Sequence, residues 1–162
     1  MKVVRWMTAV AGIAFVLSVQ APDRALGAVG DAEIILYRFT GVTDNGGAMN
    51  TGVATSFHCT NFSGVIETFR IVVRDTGAGV VANFAINIPH LLTFTFTTHQ
   101  TNLFASEQPV SPGFVVSAGT AAIAATSVFV VCSAMIVDAA SASPVGIALH
   151  GIRFNPVPGS QE

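Results

Sequence analysis

The chain has 162 residues, 51% of them apolar and 10% charged, with a formal net charge of −2. That length fits one domain behind a short leader. The sparse basic residues exclude nucleic acid and anionic lipid as expected partners, because both need a clustered basic surface.

Met1-Lys2-Val3-Val4-Arg5 is a short basic start, and Trp6 to Val19 follows as an uncharged apolar run. Ala25-Leu26-Gly27-Ala28 then offers small residues for cleavage, which completes the pattern of a secretory signal peptide. The apolar run is shorter than the ~20 residues of a membrane span. We therefore expect residues 1–27 to be a signal peptide and residues 28–162 to form a single β-sandwich domain. The expected location is secreted or periplasmic, with no membrane insertion after cleavage. Removing 27 residues from 162 leaves 135, with four arginines (Arg38, Arg70, Arg74 and Arg153), no lysine and eight acidic residues, a net charge of −4. These four arginines read as scattered.

Both cysteines survive cleavage, and an exported chain meets an oxidising compartment. Two cysteines allow one pairing, Cys59 with Cys132, 73 residues apart. Closing such a loop contributes about 4 kcal/mol on the chain-entropy model.

Period-two alternation runs through the remainder. Glu33 to Val42 reads as a first strand, with Ile35, Tyr37 and Phe39 on one face and Arg38 on the other. The polar, glycine-rich segment Thr43 to Gly52 is a loop. A second strand carries Thr55, Phe57 and Cys59 inward and Ser56, His58 and Thr60 outward. Glu67 to Arg74 and Val80 to Ile88 flank the turn Asp75-Thr76-Gly77-Ala78-Gly79 and form the clearest hairpin. Leu91 to His99 alternates again, with Leu92, Phe94 and Phe96 on one face and Thr93, Thr95, Thr97 and His99 on a solvated one. Asn102 to Gly113 is a second long loop. Phe114 to Val116 and Thr120 to Ala125, separated by a turn, lead into the apolar run Thr126 to Val137 that holds Cys132. Phe114 to Val137 is uncharged over 24 residues, long enough to span a membrane as a helix. The interrupting Ser117-Ala118-Gly119-Thr120 and the strand-like spacing of its valines favour buried strands instead. Gly146 to Phe154 is the last strand, and Pro156 and Pro158 open a tail that cannot extend it.

Seven to eight short strands at regular spacing give an all-β, antiparallel sandwich. Two inward-facing cysteines at this separation resemble the inter-sheet bridge of immunoglobulin-like domains. The resemblance implies an immunoglobulin-like sandwich with one disulfide joining its two sheets. It is one of architecture: Phe69 and Ile71 stand where an antibody-type domain carries tryptophan, and Val130 where it carries tyrosine. Such a fold does not itself specify function.

Chemistry-bearing motifs are sparse. His58, His99 and His150 are the candidate metal ligands, with His90 at a corner after Pro89, but no pair has zinc-motif spacing. No Gly-x-Ser-x-Gly or His-Glu-x-x-His motif is present, and Ser-x-x-Lys is impossible in a lysine-free mature chain. Asn61-Phe62-Ser63 matches the glycosylation sequon. No catalytic residue and no cofactor is expected. The expected function is that of an exported, non-enzymatic sandwich that binds a protein partner or serves as a surface accessory. Segments 43–52 and 102–113 are its expected contact loops. One alternative is a structural subunit that self-associates by strand addition, as fimbrial subunits do. Lysine-free edges and low charge motivate it. A metal-binding protein using the histidines is the second alternative.

Overall fold

Alternation on this scale becomes ten strands in the computed structural model, which describes residues 32–110, 114–143 and 145–154. They are β1 (Ile34–Asn45), β2 (Val53–Asn61), β3 (Glu67–Arg74), β4 (Val80–Ile88), β5 (Thr93–Thr97), β6 (Gln108–Pro109), β7 (Val115–Ala125), β8 (Val130–Asp138), β9 (Gly146–Leu149) and β10 (Gly151–Arg153). The expected signal peptide and terminal tail fall outside the described residues.

The strands form two five-stranded sheets, ordered β10-β1-β7-β3-β4 and β6-β5-β2-β8-β9. Pairing is antiparallel except between β5 and the two-residue β6, which run parallel. The fold is a β-sandwich. Its strand count exceeds expectation for two reasons: β6 is too short to show in a sequence pattern, and the last predicted strand divides at His150. Gly146–Leu149 pairs with β8 in one sheet, and Gly151–Arg153 pairs with β1 in the other. A Cβ on Gly151 would run into the Phe39 ring, so glycine is what lets β10 lie over that side chain.

The inward faces meet in one core. Phe39, Phe69, Ile71 and Ile123 from the first sheet pack with Phe57, Phe96 and Val130 from the second, all essentially inaccessible to water. Phe39 and Phe57 meet edge to face at 5.6 Å, and Phe84 and Phe96 at 6.2 Å. Aromatic pairs of this kind add to the burial of their area. Two inward assignments do not hold. Ile35 is exposed because the β1–β7 register shifts between Ile35 and Tyr37. Leu92 is exposed because β5 starts only at Thr93.

The uncharged run from Phe114 to Val137 is built as β7 and β8. Among the described residues no helix is long and apolar enough to cross a membrane. The turn expected at Ser117–Thr120 is instead an irregularity within a continuous β7. Ala118 adopts φ 50°, and the β1–β7 register shifts on both sides of Val42.

Cys59 and Cys132 form the expected disulfide, but it does not join the two sheets. The residues are direct cross-strand partners in the β2–β8 ladder, with Cα atoms 4.2 Å apart. The reason is topological. The chain crosses from β1 to β2 and again from β7 to β8, so β1–β7 pairing in one sheet brings β2 beside β8 in the other. Replacing both cysteines by alanine is expected to lower unfolding free energy by about 4 kcal/mol. Urea denaturation of that variant is the measurement, and an unchanged midpoint would mean the ladder alone holds this region.

Candidate functional site

The expected contact loops are tied down by internal hydrogen bonds, although Met49 in the first of them stands exposed. Thr43 N–H donates to Thr55 Oγ1 at 2.9 Å, and that hydroxyl donates back to Thr43 O at 2.8 Å. Asn50 N–H reaches Gln100 O at 2.9 Å. Beneath this loop Asp44 and His99 are both buried, so His99 does not lie on a solvated face. Its Nε2–H donates to Thr51 O at 2.9 Å, while Nδ1 lies 2.9 Å from Asp44 Oδ1. That second contact is not a hydrogen bond, and among the described residues Nδ1 has no other partner. Gly46 N–H also donates to Asp44 Oδ1, at 2.7 Å. Together these groups clamp the 43–52 loop to the segment after β5. His99→Ala removes the buried ring that donates to Thr51 O and leaves that carbonyl without its partner. It is accordingly expected to cost about 2 kcal/mol, read by chemical denaturation. A loss below about 0.5 kcal/mol would contradict the clamp.

A second loop covers the outer face of β2. Thr101 donates through its backbone N–H and its hydroxyl to the Glu107 carboxylate, closing residues 101–107 into a cap. Phe104 in that cap meets the His58 ring at 4.8 Å. Ser56 and Thr97, both expected to be solvated, are fully buried. His58 pairs through Nε2 with Ser56 Oγ at 3.0 Å and through Nδ1 with Thr95 Oγ1 at 3.1 Å. Serine and histidine at this distance resemble a nucleophile and its base, but the hydroxyl is inaccessible and a second hydroxyl replaces the orienting carboxylate. No substrate reaches it.

Burial pushes the His58 pKa below its ordinary 6.5. The folded state therefore favours the neutral ring, while the unfolded chain takes up a proton as pH falls through 6.5. This contribution is complete above 6.5 and is lost as pH drops below it toward the folded value. His58→Asn should flatten stability against pH in that window. An unchanged slope would assign the acid sensitivity to other groups.

The remaining histidines stay apart. His90 is exposed and accepts Gly64 N–H at Nδ1, 3.0 Å away, and His150 is exposed between β9 and β10. Among the described residues no group of three or more His, Cys, Asp or Glu side chains is placed to hold a metal ion. The sequon is structural in the folded protein. Asn61 is fully buried, and its amide nitrogen donates to Val65 O and Ile88 O, both at 2.7 Å.

What remains open are surfaces. At the end of the sandwich formed by residues 62–66 and 89–92, Phe62, Ile66, Leu91 and Leu92 stand exposed on loops joined by Asn61–Leu92 and Leu91–Asn61 backbone bonds. The sheet edges differ from one another. β6 has two residues and ends at Pro109, β10 has three residues including Arg153, and β9 has four. β4 has nine, Val-Val-Ala-Asn-Phe-Ala-Ile-Asn-Ile, with no charge and no proline, and among the described residues it pairs only with β3. The arginines are not scattered: Arg38, Arg70 and Arg74 share a depression on the outer face of the β1–β7–β3 sheet. Strand pairing gathers them, which linear spacing does not reveal. Comparison of the chain with family models, curated proteins and solved structures finds no match.

Proposed function

We propose that the chain is an exported, non-enzymatic interaction module that associates with a second copy of itself by strand addition at the β4 edge. The disulfide supports export, since such bonds persist in oxidising compartments. One observation carries the contact itself. Natural sheets blunt long edges with lysine, proline, bulges or shortness, and β4 has none of these between Ala82 and Ile88.

The pattern of β4 favours a copy of itself. In an antiparallel pair centred on Phe84, Phe84 would face Phe84, Ala82 would face Ile86 and Val80 would face Ile88. All of these are apolar, and no like charges are opposed. Phe84 and Ile86 are only half-buried at the open edge, so an added strand would cover their exposed flanks. Two five-stranded sheets would then continue as one, in an isologous contact.

Ala85 lies on the solvent face of β4, where a lysine leaves the core intact but charges the edge. Sedimentation of the chain across a concentration series should show a dimer, with Ala85→Lys weakening association about tenfold or more. Thr95→Lys serves as the control, because Thr95 lies in β5 next to β2 and bonds His58. A monomer at every concentration, or an Ala85→Lys chain that dimerises like its parent, would overturn the proposal.

A further inference from the structure

We propose that Arg38, Arg70 and Arg74 form a cradle on the outer sheet face that binds a small carboxylate-bearing ligand with an apolar body. Arg38 on β1 is the direct cross-strand partner of Ala122 on β7, which is in turn the partner of Val72 on β3. Arg70 and Arg74 lie two residues to either side of Val72, so all three side chains leave the same face. Adjacent strands are ~4.8 Å apart, which places Arg38 about 10 Å from the β3 row across a floor of small residues. Ala122 and Ala124 leave that floor low, and the depression measures about 320 Å³. Its base is apolar and its walls are guanidinium groups.

The protein already shows what this arrangement does with a carboxylate. Glu33 grips Arg70 with two contacts, Nε to Oε2 at 2.5 Å and Nη2 to Oε1 at 3.1 Å. This bidentate geometry is the characteristic arginine–carboxylate fit. The third Arg70 donor, Nη1, goes to Asn83 Oδ1 at 2.9 Å. Arg70 is thereby engaged at each of its three nitrogens.

Arg38 and Arg74 are not. Arg74 bonds Ala78 O through Nη1 at 2.8 Å, and Arg38 lies over the Phe154 ring at 5.6 Å. Both side chains are exposed, and among the described residues Glu33 is the one acid that lines the depression. Three arginines against one glutamate leave the cradle positive on a mature chain that is acidic as a whole. A negatively charged group of one ligand is what this local excess fits, and planar guanidinium forks favour a planar carboxylate.

Benzoate is a suitable probe, with benzamide as its uncharged counterpart. In nitrogen-resolved NMR titrations of the protein produced from the full chain, benzoate should shift the Nε–H signals of Arg38 and Arg74 and the Ala122 amide. Benzamide should leave them in place. Arg38→Gln and Arg74→Gln should each weaken benzoate binding about tenfold or more. Glu33→Gln should tighten it several-fold by releasing Arg70 and removing the competing carboxylate. Equal shifts with benzamide, no response at these three positions, or a Glu33→Gln variant that binds no better would each overturn the assignment.

Discussion

The cross-strand contact between β2 and β8 is what the remaining structure depends on. Cys59 faces Cys132 within a nine-pair ladder running from Val53–Asp138 to Asn61–Val130. A slip of one residue would turn every side chain of one strand to the opposite face. The covalent link forbids that slip. With the register held, Phe57, Cys59, Val130 and Ala134 stay in the core while Ser56 and His58 stay beneath the 101–107 cap. The two crossings, β1 to β2 and β7 to β8, transmit the same constraint to the other sheet. The β1–β7 ladder is accordingly long, but it absorbs register shifts near Ile35 and Val42 that the bridged ladder does not show.

Alternation made the core legible from residues alone. Tyr37, Phe39, Phe69, Ile71, Val73 and Phe96 are buried where a period of two puts them. It failed where the period is broken by something local, as at the shift between Ile35 and Tyr37. It also failed where nonlocal pairing decides. Inward-facing cysteines look the same in sequence whether they belong to facing sheets or to neighbouring strands, so the bridge was legible as a pair but not in its placement. His99 ends an alternating run and reads as solvated, yet its burial follows from Asp44, 55 positions earlier. The arginine cradle was invisible for the same reason: Arg38 meets the 70–74 row only through β7.

Low charge shapes what this molecule offers to others. Its loops at one end spend their polar groups internally, through the Asp44–His99 contact and the Thr101–Glu107 closure. Buried polar groups of that kind cost stability unless satisfied, and here Asp44 Oδ2 and His99 Nδ1 lack a hydrogen-bond partner. Rigid scaffolds commonly place recognition on such loops, and here part of their polar groups is spent on internal contacts. The two contacts proposed above rest instead on features that strand pairing creates: an edge and a face.

That edge and that face are physically connected. Arg70 sits on β3 between the cradle and β4, with Glu33 on one side and Asn83 on the other. Burial is minor at this exposed site. The hydrogen bonds that Arg70 donates to Glu33 and the charge of that carboxylate raise the Arg70 pKa further, and the guanidinium is charged at any ordinary pH, so both contacts persist. Asn83 lies on the solvent face of β4, next to Ala85, where a strand pairing about Phe84 would bring the two residues opposite each other. An Asn83 side chain held by Arg70 cannot turn toward an incoming strand, so it presents a fixed amide rather than a mobile one. Ordering that group in advance removes part of the entropy cost of association. In both proposals Glu33 would act through one side chain: it neutralises one wall of the cradle, and it holds the arginine that bonds Asn83 on the edge strand.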